Sequence, residues 1–263
     1  MDLQLTNKIA LVTGSTAGIG LAIARRLAAE GAEVILTGRT EARLTEARNV
    51  ILAETPAAKV RGVAVDFGVV EQISHLLREV PTVDILVNNV GIFDPKPFAE
   101  IPDEDWVRFF EVNVLSGVRL SRQYFPLMLE QNWGRILFIS SESGLQIPEE
   151  MIHYGTTKTA QLAVARGLAE LTKGTSVTVN SVLPGPTASE GVEEFIRRLS
   201  AEGKSKEEAE KEFFQNARPS SLLQRFATTD EIANMVAYLA SPLASATNGA
   251  SVRVDGGVIR SIG

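Results

Sequence analysis

The sequence predicts an α/β fold: a single doubly wound, seven-stranded parallel sheet flanked by helices. Three observations carry that expectation. Seven short, β-branched runs alternate along the chain with longer segments of helical periodicity. Several of those runs are continuously apolar rather than alternating, as in strands covered on both faces. The first run leads straight into a glycine-rich turn and then a helix, T-G-S-T-A-G-I-G at 13–20. Alternation of this kind implies right-handed βαβ units.

The strands are expected at I-A-L-V-T (9–13), E-V-I-L-T (33–37), V-A-V-D (63–66), D-I-L-V-N (84–88), R-I-L-F-I-S (135–140), S-V-T-V-N-S-V (176–182) and A-S-V-R-V (250–254). Between the first two, G-L-A-I-A-R-R-L-A-A-E-G reads as a helix that ends at Gly31, a suitable C-terminal cap. No internal repeat, low-complexity tract or linker interrupts the chain, so 1–263 is expected to be one domain. One stretch breaks the rhythm. Residues 186–225 separate the sixth strand from the last helix, and their middle, K-S-K-E-E-A-E-K-E-F-F, is charged with helical character. Long connections in compact domains often carry function, which makes 186–225 a candidate substrate-binding lid; an exposed surface helix is the competing reading.

Composition narrows the chemistry. The chain has 263 residues, 44% hydrophobic and 22% charged, as in ordinary globular proteins. A net charge of −6 without a basic run argues against nucleic-acid or anionic-membrane binding. There is no cysteine and there are only two histidines, so disulfides, thiolate chemistry and a histidine metal site are not expected. The start, M-D-L-Q-L-T-N-K, is too polar for a secretory signal, and no apolar run approaches the roughly 18 residues of a membrane span. Cytoplasmic residence is the expectation.

Glycines in the 13–20 turn let the backbone bend sharply and approach a ligand, while free amides at a helix start attract phosphate. At the first strand–helix junction of a βαβ series this marks a dinucleotide site. The second strand ends in L-T-G-R-T, with Arg39 where an acid would favour NAD; an arginine there pairs with a 2′-phosphate. Ser15, Thr16 and Thr40 offer hydroxyls nearby. NADP is therefore favoured, with NAD possible.

Further motifs follow in order: Asp66 after the third strand, N-N-V-G (88–91), Asn113 in E-V-N-V, S-S-E-S-G (140–144), Y-G-T-T-K (154–158), P-G-P-T (184–187) and V-D-G-G (254–257). Together with the glycine turn they resemble the short-chain dehydrogenase/reductase family over nearly the whole chain. The resemblance implies a Rossmann-type fold and an NAD(P)-dependent oxidoreductase that interconverts a carbonyl and a secondary alcohol. A 3-oxoacyl substrate is the family default, and homotetramers are common. It implies that Tyr154 is the acid–base, that Ser141 binds the substrate oxygen, that Asn113 holds a water of the proton relay and that Lys158 also grips the nicotinamide ribose. For the cofactor it implies Gly14, Ser15, Thr16, Gly18, Ile19 and Gly20 at the pyrophosphate and adenosine ribose, and Arg39 at the 2′-phosphate. Asp66 and Phe67 would meet the adenine, Asn89 the ribose region, and Thr187 or Ser189 the carboxamide. The sequence departs from the family at Val90, usually alanine, and at Ala17, where many NADP-using members carry a basic residue.

The pair at 154 and 158 also stands on its own chemistry. Residues four apart on a helix share a face. A phenol titrating near ~10 is a poor acid–base at neutral pH, and an adjacent ammonium would favour the phenolate. Ser140 competes with Ser141, but its spacing to Tyr154 is less family-like. His153, about 100° around the helix from Tyr154, is expected to be a packing or pocket-rim residue. Ile92, Phe93, Leu145 and Ile147 are expected to line an apolar pocket, with Glu142, Gln146 and His153 as polar possibilities. A non-catalytic dinucleotide sensor or assembly subunit, and an isomerase or dehydratase using the cofactor transiently, are the alternative functions.

Overall fold

The computed structural model describes residues 1–189 and 205–262. Its seven strands are β1 (Ile9–Val12), β2 (Glu33–Gly38), β3 (Val60–Ala64), β4 (Ile85–Asn88), β5 (Gly134–Ile139), β6 (Val177–Pro184) and β7 (Ser251–Val254). They form one parallel sheet in the order β3-β2-β1-β4-β5-β6-β7. The helices are α1 (Gly18–Ala29), α2 (Glu41–Glu54), α3 (Val70–Glu79), α4 (Asp103–Phe110), α5 (Ser116–Glu130), α6 (Ile152–Glu170), α7 (Lys206–Asn216) and α8 (Thr229–Ala240). A π-helical turn, Glu111–Leu115, joins α4 to α5.

Strand periodicity sorts the core into two layers. Ala10, Val12, Val34 and Leu36 pack under α1, α2 and α8. Leu11, Ile35, Leu86 and Ile136 pack on the other face under α3, α5 and α6. Both faces are therefore covered, which is why β1, most of β4 and Ile136–Ile139 of β5 read as unbroken apolar runs. The edge strand β3 differs: its observed span begins earlier than the predicted V-A-V-D. Pairing with β2 fixes it, since Val34 to Gly38 meet Val60 to Ala64. Arg61 and Gly62 are exposed, so the apolar signature is missing there.

The strand order reverses between β1 and β4, and ligands of open α/β sheets bind in the crevice at such a point. The glycine turn leaves β1 and the Asn89–Gly91 turn leaves β4, side by side. Of the predicted lid, residues 190–204 lie outside the described residues. Among the described residues no helix is long and apolar enough to cross a membrane. No His, Asp and Glu cluster among them is arranged to hold a metal.

Candidate active site

The glycine turn is shaped for close approach. Gly18 has φ +54°, the left-handed region that favours glycine. A Cβ at Gly20 would lie 2.2 Å from the Gly14 carbonyl oxygen. Ala17, the residue that precedes helix α1, offers no capping side chain, and the first turn of α1 carries no acid. Its leading N–H groups are thus open to an anion. Gly38 leaves room for Thr16, whose methyl would stand 2.4 Å from a Cβ there. Arg39 is exposed at the end of β2, with no ion-pair or hydrogen-bond partner among the described residues, while Thr40 accepts from Arg43 N at 3.4 Å and caps α2.

Two expected cofactor contacts, Ser15 and Phe67, are placed differently, and Asn89 braces the turn while also lining the cavity. The Ser15 hydroxyl is buried, donating to the Val12 carbonyl at 2.8 Å and accepting from Thr37 N at 2.9 Å. It ties the turn to β2 and presents nothing to a ligand. Phe67 is buried in the core, so its ring is not available to an adenine. Asn89 spends its amide N–H groups on the Thr13 and Gly14 carbonyls, at 2.8 and 3.1 Å, and braces the turn. Asp66 closes its own loop by accepting from Gly68 N at 2.8 Å.

Ser141, Tyr154 and Lys158 converge on one cavity of about 670 Å³, which Ile19, Asn89, Thr187 and Ser189 also line. The cavity therefore runs from the start of α1 to the end of β5. The Lys158 Nζ lies 5.5 Å from the Tyr154 ring centroid and donates to the Ile139 carbonyl at 2.9 Å. Phe93 meets the other side of Tyr154 edge-on, with centroids 6.3 Å apart. The two serines separate cleanly. Ser140 Oγ donates to the Lys158 carbonyl at 2.8 Å and anchors α6 to β5. Ser141 lines the cavity beside Tyr154 and, in a short contact, donates to Glu142 Oε2. Asn113 sits in the π-helical turn, a distortion frequent at functional sites. Its side-chain N–H groups go to the Ile92 carbonyl and Thr157 Oγ1, both at 3.0 Å, and its Oδ1 accepts from Ile92 N at 2.8 Å. Its backbone carbonyl accepts from Gln161 Nε2 at 2.6 Å, so this oxygen, expected to hold a water, is engaged by α6.

The electrostatics depart from the expectation of a phenolate-favouring pair. Burial, then the neighbouring Glu142 carboxylate, push the Tyr154 phenol up. Burial also pushes Lys158 down to about 7. His153 is a core residue, 0% exposed, with its ring 4.1 Å from that of Phe109 and neither nitrogen hydrogen-bonded. Burial lowers its pKa.

Of the predicted pocket residues, Phe93 and Glu142 line the cavity. Leu145 and Ile147 instead point outward and are exposed. The sequence reading missed Met151, Glu150 and Arg218. Arg218 Nε lies 3.0 Å from Glu142 Oε1, and its Nη1 lies 3.3 Å from Glu150 Oε1. The available signal was Glu142 itself: an acid at the buried end of a strand needs a cation.

A family model for short chain dehydrogenases matches residues 8–199. The chain belongs to the short-chain dehydrogenase/reductase family. It is an oxidoreductase of that family, similar to the Bacillus subtilis oxidoreductase YvaG at 49% identity over the full length of both chains. It is 34% identical to the 3-oxoacyl-[acyl-carrier-protein] reductase FabG of Aquifex aeolicus, covering 98% of this chain and 100% of that one. The L-sorbose reductase of Gluconobacter frateurii, solved with NADPH and L-sorbose, superposes with a TM-score of 0.92 at 30% identity, covering 100% of both chains.

Proposed function

We propose that this oxidoreductase interconverts a carbonyl compound and a secondary alcohol using NADP(H), with Tyr154 as the acid–base. The observation that carries the reading is the convergence of Ser141, Tyr154 and Lys158 on one cavity shared with the start of α1, with Lys158 Nζ 5.5 Å from the Tyr154 ring centroid. The chain's own groups fit the cofactor: an uncapped helix start for the pyrophosphate and an exposed Arg39, unpaired among the described residues, for the 2′-phosphate. The solved neighbour with bound NADPH supports the same choice. Gly14, Thr16, Gly18, Ile19 and Gly20 would hold the pyrophosphate region, with Asp66 beside the adenine. Lys158 and Asn89 would flank the nicotinamide ribose, and Thr187 and Ser189 the carboxamide. The cofactor, when bound, supplies or receives the hydride.

The protein's part is proton transfer and positioning. Tyr154, kept protonated by its surroundings, donates to the carbonyl oxygen during reduction and takes the proton back in reverse. Ser141 holds that oxygen. Lys158 orients the phenol, and Asn113 fixes the Ile92 turn against α6. The gathering of all seven strands into one sheet supports a single domain. The family resemblance supports a cytoplasmic homotetramer, which light scattering of the purified protein would test. The function is tested by following NADPH consumption against a panel of ketones and aldehydes. Tyr154→Phe should abolish turnover of each one; full retention would sink the reading.

A further inference from the structure

Glu142 occupies an unusual place for a charge: beside Ser141, lining the cavity and only 5% exposed. A fixed carboxylate there opposes negative charge building on a substrate oxygen, so the carbonyl alone gives no reason for it. The hydrogen bonds around it do. Glu142 Oε2 accepts from the Ser141 hydroxyl and from Ser143 N at 2.9 Å, while Oε1 accepts from Arg218 Nε at 3.0 Å. Ser141 has one proton. When it turns to donate to a carbonyl oxygen, it must release Glu142, and the buried Oε2 loses one of its two donors, keeping only Ser143 N.

We infer that Glu142 is a specificity-determining residue: it accepts a hydrogen bond from a hydroxyl on the carbon next to the carbonyl, so the preferred substrates are neutral α-hydroxy carbonyl compounds. This rests on the reductase reading above. The substrate hydroxyl takes the place that Ser141 vacates, so the carboxylate stays satisfied through the exchange. A ketone without that hydroxyl leaves Glu142 short of a donor and is disfavoured for that reason. A 3-oxoacyl chain, which carries a methylene beside its ketone, meets the same penalty.

Charge sharpens the class. Arg218 is shared by Glu142 and Glu150, two carboxylates for one guanidinium, and Asp94 also lines the cavity. This wall therefore carries net negative charge and repels carboxylate- or phosphate-bearing substrates. The apolar side, Phe93, Met151 and Phe213, suits the carbon face of a short hydroxylated chain.

The test compares kcat/KM for hydroxyacetone and acetone, and for a neutral ketose and its phosphate ester, in wild type, Glu142→Ala and Glu142→Gln. Taking ratios within each variant cancels any loss of folded enzyme. The wild type should prefer hydroxyacetone by at least about tenfold, mainly through KM. Glu142→Ala should bring that ratio close to one. Glu142→Gln keeps an acceptor but not the charge, so it should retain much of the hydroxyl preference while accepting the phosphate ester better. A wild-type ratio near one, or a preference that survives in Glu142→Ala, overturns the inference. If the wild type reduces nothing in the panel, and no carbonyl tested elsewhere, the reductase reading itself fails and the inference falls with it.

Discussion

Arg218 reaches back 76 residues to place its Nε 3.0 Å from Oε1 of Glu142, pinning the segment after α7 to the residue beside Ser141. Both side chains are largely withdrawn from solvent, 11% and 6% exposed. In such a pair, each charge depends on the other to offset desolvation.

Arg218→Met should therefore destabilise the protein. Glu142 would keep its burial and lose its cation, and breaking a buried pair from one side costs about 3–5 kcal/mol at full burial. Because this pair borders a cavity, about 2–3 kcal/mol is expected, read as a lower urea midpoint at unchanged slope. Adding Glu142→Gln removes the stranded charge and should recover most of the loss. A double variant as unstable as Arg218→Met would show that the pairing contributes little.

The two adjacent serines separate in the same kind of experiment. Ser140 is spent on the Lys158 carbonyl, whereas Ser141 meets Tyr154 at the cavity. Ser140→Ala should cost about 1 kcal/mol of stability, the net worth of one buried hydrogen bond, and leave kcat within a few-fold. Ser141→Ala should lower kcat by about a hundredfold, the scale of removing one donor to a developing oxyanion, at a stability cost of about 1 kcal/mol or more, because its bond to the buried Glu142 is lost as well. Reversed phenotypes would exchange their roles.

Arg39 stands at the C-terminal end of β2 with its guanidinium unengaged among the described residues. A charge-assisted contact with a phosphate is worth about 1.5–3 kcal/mol. Arg39→Ala should accordingly reduce kcat/KM for NADPH by roughly tenfold to a hundredfold, with little change for NADH. Steady-state kinetics with both cofactors decide it. A wild type that prefers NADH from the outset would overturn the assignment of NADP.

Most of the fold was legible because the strands bury both faces, and such strands advertise themselves as apolar runs. Edge strand β3 escaped because Arg61 and Gly62 face solvent, so its register comes from pairing with β2 rather than from pattern. The Tyr154–Lys158 pair was legible from its spacing of four residues, and Ser141 from the resemblance to the family. The electrostatics of the pair were not, since the upward push on Tyr154 comes from burial and from a carboxylate that α6 does not contain. Ser15, Phe67 and Asn89 share a different lesson. Residues flanking a binding turn spend their side chains holding it in shape, and sequence cannot tell a brace from a ligand contact. Arg218 was invisible because its meaning lies in a contact made across the fold.

Tyr154 gives a prediction that its spacing from Lys158 alone would reverse. In the cofactor-free protein its phenol is held above the ordinary value of 10.0, first by burial and then by Glu142. The acid form should persist to pH 10.0 and beyond. Ultraviolet difference titration of wild type against Tyr154→Phe should find no ionisation from this position up to that pH. Glu142→Gln should move its titration downward. A phenol ionising near neutrality without cofactor would restore the lysine-driven picture.

His153 makes a stability prediction with a defined sign. Its folded pKa lies below the ordinary 6.5, because burial disfavours the charged ring. Below pH 6.5 the unfolded chain binds a proton that the native ring refuses, so stability falls as pH drops through that value. The fall continues until the native ring itself protonates. His153→Leu keeps an apolar group against Phe109 and removes the titration. The urea midpoint of the variant should therefore decline less than that of the wild type between about pH 7.5 and about pH 5.5. Catalysis in the variant should keep its pH profile, since the ring lies in the core and not on the cavity. Equal acid sensitivity in the two proteins would mean that His153 is protonated in the native state, contrary to its buried place beside Phe109.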